Sequence, residues 1–426
     1  MKTKSFVFCC LCIVLLICNA CEEPMIQNKY NDNTKLWPAF DPATSKMGYI
    51  NEKGEMVIPP QFKSAGIFIN GLATVWASDP NAQSAQFIDT KGNVVYTVGE
   101  EVFDSHFYNG YLKFHKYFPP SYDIAPKYGL YDSNFNVVLP DMYKRLGNMS
   151  KEGLVATEYG YYNKKGELAL TLNADTSDVN ATNEIVYSYG DFCDGVAVIN
   201  ITRYKKGQPT TYSVGAINTK GEWVIDTTLY CDLRSVGGGL LAYMDTTSIS
   251  NGLYPLLGLM DTHGNKLTEP IFLDVKNFED DNLLPAACVK YNEYGEYSQW
   301  GYVDKTGTIR IEPQFIYCEP FHEGVAWACK SKICEEGDGI ENDYCLIDTQ
   351  GNILIDFGKD VMPCTCSHNG LIGVEVIDRV NKKNIFKYID KNNNTIYSWE
   401  HDYDKPETLV IPYLMLPSRV PKNEQK

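Results

Sequence analysis

The chain has 426 residues, of which 44% are hydrophobic and 22% charged, and its formal charge is −16. With six arginines and no basic run, that balance argues against a nucleic-acid partner and favours solubility over adhesion to anionic surfaces. The length is ample for a large core, and would suggest two or three domains unless repetition builds one continuous body.

Lys2 and Lys4 precede an apolar run from Phe6 to Cys18, followed by Asn19-Ala20-Cys21. The charge, length and small residue before the cut predict a signal peptide over residues 1–20; the run is short for a membrane span. It resembles a bacterial lipoprotein signal, in which Cys21 would carry the lipid after cleavage. Cys18 departs from that pattern, standing where Leu, Val or Ile is expected; an ordinary signal peptide cut nearby is the alternative. Glu22-Glu23 resembles the acidic surface-export signal of Bacteroidetes lipoproteins. Residues 21–45, polar and with Pro24, Pro38 and Pro42, read as a tether.

From Met47 onward one pattern recurs. Met47-Gly48-Tyr49-Ile50-Asn51 leads through a turn at Gly54 to Met56-Val57-Ile58-Pro59-Pro60-Gln61-Phe62, and later comes Gly71-Leu72-Ala73-Thr74-Val75. Further copies turn at Gly92, at Asn134-Phe135-Asn136, and at Gly166, Gly221, Gly264, Gly307 and Gly351, with a partial terminal copy at Asn392-Asn393-Asn394. In the third copy asparagine is expected to replace glycine at the left-handed turn position. Trp300 to Cys329 is the cleanest copy. Trp300-Gly301-Tyr302-Val303-Asp304 alternates as a strand, Lys305-Thr306-Gly307 makes a hairpin loop, and Thr308 to Ile311 returns with one apolar face. Pro313 ends the pairing. Turn glycines lie 38 residues apart at 54 and 92, and 43, 43 and 44 apart from 221 to 351. The gap of 55 between 166 and 221 places an insertion within residues 170–213. A period near 43 with three or four strands suits a propeller blade or a solenoid coil.

These units resemble the WG-repeat family, whose pattern runs aromatic-Gly-Tyr-Ile-Asp, two residues, Gly, Val-Ile-Pro-Pro-x-Phe and later Gly-Leu-Ala-x-Val. The resemblance covers about residues 47–395. It implies an all-β repeat protein that serves as an interaction surface, with no catalytic residues to carry over. The expected organisation is a repeat domain over 46–400, eight units plus a partial ninth, and a tail over 401–426. Its fold is expected to be a propeller-like closed array of seven or eight blades, with an open β-solenoid as the alternative; closure would remove the exposed edges.

Sharper chemistry is weakly signalled. The repeated Asp-x-x-Gly lacks the Ser and Trp of an Asp-box, so it reads as a plain hairpin turn. Trp223, Trp300, Trp327, Tyr49 and Tyr302 could stack on sugars, but their regular places predict core packing. Glu335 to Asp343 and Glu279-Asp280-Asp281 read as solvated acidic loops without calcium-ligand spacing. Cys364, Cys366 and His368 alternate along a strand with no fourth metal ligand. The nine cysteines beyond Cys21 read mainly as buried thiols, a disulfide among Cys329, Cys334 and Cys345 being the alternative. No histidine sits in a catalytic arrangement. The expected function is therefore a lipid-anchored, non-catalytic scaffold at the outer membrane or cell surface, periplasm-facing as a variant. No cofactor or metal is expected. Its partner is expected to be a protein; a carbohydrate-binding or glycan-cleaving propeller is the alternative.

Overall fold

The computed structural model describes residues 34–77, 84–99, 101–103, 107–116, 125–172, 183–245, 255–279, 282–292, 295–330 and 342–402. Cys21, the signal segment and the tail from residue 403 lie outside them. Among the described residues there is no helix; thirty-two strands form eight antiparallel sheets. The sheets are the blades of a β-propeller closed into a ring. The first sheet has six strands and carries two hairpins, because Met56–Ala65 pairs with the strand before it and, from Phe62 on, with Leu72–Ala77.

A complete blade has four strands, as in Tyr317–Cys318, Val325–Lys330, Asp343–Asp348 and Ile353–Gly358. The middle two are buried on both faces, unlike an ordinary half-wet sheet, because each blade packs against a blade on either side. Val325 to Cys329 are all buried. Nine hydrophobic clusters among the described residues lie between successive hairpin units, one of them within the first sheet, for example Tyr302, Ile311 and Phe315 against Phe321, Ala326 and Ile347. The ninth closes the ring: Trp37, Ala39 and Ile50 pack on Leu371, Phe386, Tyr388 and Trp399. An open solenoid would leave both of those faces wet. Buried tyrosines lace the seams, with hydroxyls donating to the next unit's backbone: Tyr49 to Gly66 O at 2.8 Å, Tyr161 to Gly190 O at 2.7 Å and Tyr302 to Glu319 O at 2.7 Å.

Three expectations need correction. The lead-in is shorter than the prolines suggested: Trp37–Asp41 is a strand of the first sheet, and Trp37 Nε1 donates to His368 O at 2.9 Å. The ninth hairpin is full, pairing Lys383–Ile389 with Thr395–Asp402. In the third, the left-handed residue is Phe135 itself, at φ 61°, not an asparagine. Asp132 Oδ1 accepts from the amides of Asn134 and Asn136, both at 2.8 Å, and the Phe135 ring stacks on Tyr96 at 4.2 Å. Those contacts offset the backbone strain.

The hairpins share one hydrogen-bond scheme with two interchangeable spellings. Where Asp opens the turn, Asn in most copies follows four residues on and its Nδ2 donates to the carboxylate, as in Asp89/Asn93 (3.0 Å), Asp348/Asn352 (3.0 Å) and Asp390/Asn394 (2.8 Å); at Asp304 the fourth residue is Thr308, and Arg310 Nε donates to the carboxylate instead. Where Asn opens it, the fourth residue is Glu, as in Asn51/Glu55 (2.8 Å), Asn163/Glu167 (3.0 Å) and Asn218/Glu222 (2.8 Å). One amide faces one carboxylate either way. Burial works against ionisation of Asp304, but hydrogen bonds from Thr306, Arg310 and Thr308 outweigh it and hold the carboxyl at about 2. Asp261, Asp348 and Asp390 are lowered by their own turn bonds, against the same opposing burial.

Gly301 answers to space, not to φ. A Cβ there would stand 2.3 Å from Ile311 O, a backbone atom that cannot swing away, whereas one on Gly324 would meet nothing within 4 Å and suffer only from φ +80°. Gly301→Ala should therefore cost about 3 kcal/mol, the upper end of overpacking, and Gly324→Ala about 1 kcal/mol. Chemical denaturation midpoints check the order, and equal costs would contradict it. A second expectation follows from the turn aspartates. The Asp304 pKa of about 2 lies below the unfolded value of about 3.9, so the stability it adds is complete above about pH 4 and lost as pH falls towards about 2. In Asp304→Asn the fall in melting temperature over that window should shrink; an unchanged acid limb would contradict this.

Candidate functional site

The strand directions sort the ring into two unlike ends. One end carries the hairpins between third and fourth strands together with the tight turns between first and second strands. In those turns Asn70, Asn109, Asp194, Glu323 and Asn369 take positive φ before a glycine, the two-residue turn that twists with its strands. Successive turns are tied together. Glu152 Oε1 accepts from the Gly195 amide at 2.7 Å, and Asp194 Oδ2 from that of Gly239 at 2.8 Å. Glu323 Oε2 accepts from the Gly370 amide at 2.9 Å and Ser367 Oγ at 2.6 Å. Burial pushes the Glu323 carboxyl up, but these bonds and nearby Lys391 hold it below the usual range. The carboxylates of this end bind backbone.

First strands of successive blades are also bridged. Arg145 Nη1 donates to Ser188 Oγ at 2.6 Å, and Arg234 Nη2 to Asp274 Oδ1 at 2.7 Å and Val275 O at 2.8 Å. The third bridge is the most enclosed: Lys276 Nζ lies 2.9 Å from Glu319 Oε2 and 3.8 Å from the centre of the Tyr317 ring, with Trp300 at 5.5 Å. Glu319 is 3% exposed, and its other oxygen accepts from Tyr317 Oη. Burial pulls the Lys276 pKa down while Glu319 opposes it. Removing either partner would strand a buried charge. Sequence inspection missed this pair, although residues 276 and 319 stand one repeat apart and carry opposite charge.

The opposite end is where second strands connect to third strands, and where the copies diverge. The insertion expected within 170–213 proves in part to be a taller blade: Asn183–Cys193 pairs with Val196–Lys205 out to Asn183 opposite Lys205, and Val196–Lys205 pairs with Thr211–Asn218 out to Arg203 opposite Thr211. Leu283–Asn292 and Gly295–Asp304 form a similarly long pair. Their far ends expose aromatics: Tyr212 is 77% exposed and Tyr291 72%, with Tyr204 and Tyr297 also open, and Trp76 on Leu72–Ala77 of the first sheet is open as well. Val186 pairs with Thr202 and Thr202 with Tyr212, so exposed Val186 and Tyr212 flank half-buried Thr202 in a row across one face. The arrangement offers flat apolar area with hydroxyl tips, suited to gripping a partner.

Of the residues weighed as sugar-stacking, Tyr49, Tyr302 and Trp327 are core; Trp300 is half-buried over Lys276, and Trp223 is exposed. Glu335 to Glu341 and Asp280-Asp281 lie outside the described residues. Cys193, Cys231, Cys288, Cys318, Cys329, Cys345 and Cys364 are free thiols. Cys318, Cys329, Cys345 and Cys364 are buried, and burial pushes each thiol up; Cys334 lies outside. Among the described residues no group of three His, Cys, Asp or Glu is placed to hold a metal.

No curated protein matches this chain. Solved structures give faint likenesses. Pyrococcus horikoshii acylaminoacyl peptidase shares 12% identity over 49% of this chain and 39% of that one, at TM-score 0.30. Prolyl oligopeptidase B from Galerina marginata shares 10%, over 70% and 44%, at 0.33. A CNH domain described as AfRom2 shares 8%, over 75% and 91%, at 0.23. The chain spans about half the length of the two peptidases, 39–56% across their structures, and at these scores the likenesses bear on no functional argument. Residues 47–75 and 300–332 each match the family described as WG containing repeat, so that repeat is present in both of the segments that spell it most fully.

Proposed function

We propose that this chain is a non-catalytic binding scaffold, anchored by a lipid on Cys21 at the outer membrane or cell surface, with a protein partner docking on the loop end of the ring. The observation that supports this reading is the contrast between the two ends. One is spent on hydrogen bonds between blades; the other lifts Tyr204, Tyr212, Tyr291, Tyr297 and Trp76 into solvent. Tyrosine and tryptophan supply large contact area at small entropic cost. Lys2, Lys4, the apolar run and Ala20-Cys21 support the anchor.

The same exposed aromatics favour a second reading, in which the loop end stacks on sugar rings as a carbohydrate-binding or glycan-cleaving surface. One experiment separates the two. The protein and its Tyr204→Ser, Tyr212→Ser, Tyr291→Ser variant are used to capture cell-surface proteins, and are offered to a glycan array with a hydrolysis assay. A protein retained by the parent and lost at least tenfold by the variant is the expected result. Sugar binding or turnover that falls in the variant, with no protein retained, would overturn the protein reading. In parallel, Cys21→Ala should move the protein out of the membrane fraction; unchanged fractionation would end the anchoring claim.

A further inference from the structure

Charge is spread unevenly along this acidic chain. Residues 195–221 form its longest stretch without Asp or Glu, and they carry Arg203, Lys205, Lys206 and Lys220 in a protein of formal charge −16. Lys220 belongs to a hairpin turn, its amide donating to Asn218 Oδ1 at 2.9 Å. The other three gather at the loop end of the taller blade, where Val196–Lys205 turns back into Thr211–Asn218.

The tip is ordered by its own bonds. Gln208 N donates to Lys205 O at 3.0 Å, and Gly207, at φ 77°, takes the left-handed position of that turn. Arg203 Nη1 donates to Ser213 Oγ at 2.5 Å. The guanidinium is thus held across the strand pair before a partner arrives, which lowers the ordering cost of engaging it.

Strand alternation then separates two kinds of surface. Arg203 and Lys205 share one face with the hydroxyls of Thr211 and Ser213, since Arg203 pairs with Thr211. Thr202, Tyr204 and Tyr212 share the other, with Val186 and Glu184 paired into it from the neighbouring strand. Lys205, Lys206, Tyr204 and Tyr212 are all exposed. Glu184 stands opposite Tyr204, so it lies on the tyrosine face; the described residues paired into the Arg203 face include no acid. The second tall pair differs, because its tip between Lys290 and Tyr297 carries Glu293 and Glu296. The basic tip is a property of one blade.

We propose that the protein partner presents an acidic segment to this tip, its carboxylates meeting Arg203, Lys205 and Lys206 while Tyr204 and Tyr212 cover its apolar flank. The inference rests on the protein-partner reading above and names the chemistry of that partner. A guanidinium accepts a carboxylate in a two-pronged bond, and the two lysines add point charge. The net charge of the ring repels an acidic segment elsewhere, so the tip decides where and in which orientation it lands.

The probe is the protein retained by the parent chain in the capture described above, identified and purified. Lys205→Glu with Lys206→Glu should weaken its binding by about tenfold or more. Raising salt from about 0.1 M to about 1 M should weaken binding to the parent and change that of the variant little. Lys53→Glu with Lys220→Glu makes the same change in net charge at the hairpin end and should leave binding within about twofold. All four lysines are exposed, and equal melting temperatures check that the variants fold. Carbodiimide coupling, which joins an amine to a carboxylate in contact with it, should link Lys205 or Lys206 to an Asp or Glu of the partner. Binding that survives the exchange at Lys205 and Lys206, or falls equally with the hairpin-end pair, would overturn the proposal and leave the protein-partner reading standing. Retention of no protein, or only of an anionic glycan or lipid, would overturn both. A salt-sensitive dimer of the chain built through this tip, in place of a separate partner, would also overturn the proposal.

Discussion

Everything in this molecule depends on burying both faces of each blade's two middle strands. A single hairpin unit cannot do that, since whichever face it turns inward leaves the other wet. Stacking units solves the problem everywhere except at the ends of the stack, and joining the ends removes those as well. The last seam, where Trp37 and Ile50 meet Phe386 and Trp399, is therefore no weaker in kind than the seams within the chain. At about 25 cal/mol per Å² of apolar surface, an open stack would forfeit one whole seam.

Closure also assigns the polar groups. Between blades the chain repeatedly uses a carboxylate or a tyrosine hydroxyl on one unit to hold a backbone group on the next, as with Glu323 and Gly370 or Tyr302 and Glu319. Such bonds cost little to form in a ring whose blades are already positioned. They consume the acids that might otherwise signal chemistry, and they leave the loop end as the place where copies are free to differ.

Much of this was legible in the sequence. The hairpins at Gly54, Gly92, Gly221 and Gly307 could be read from spacing alone, because turn chemistry and two-residue alternation are local. So could the core roles of Tyr49, Tyr302 and Trp327. The phase was harder to see. A sequence unit such as Trp300 to Cys329 looks like one blade, yet it provides the third and fourth strands of one and the first and second of the next. That boundary falls between Phe315 and Tyr317, in a run of residues that no turn signal interrupts. Non-local facts were invisible for the same reason: Phe135 can sit at positive φ because Tyr96 stacks on it, and Lys276 is sheltered because Glu319 comes from the next blade. The exposed Tyr212 and Tyr291 were hidden by composition, since buried and open tyrosines look alike until their strand pairing is known.

Hydrogen exchange of Trp37→Ala tests the closed ring most directly. Its side chain belongs only to the seam between the chain's two ends. If that seam carries the whole ring, protection should fall together in the far blades, including Tyr161 and Ile217, as well as at 34–50 and 372–399. Faster exchange confined to those two end segments, with the far blades unchanged, would show an array that does not depend on closure and would contradict the account.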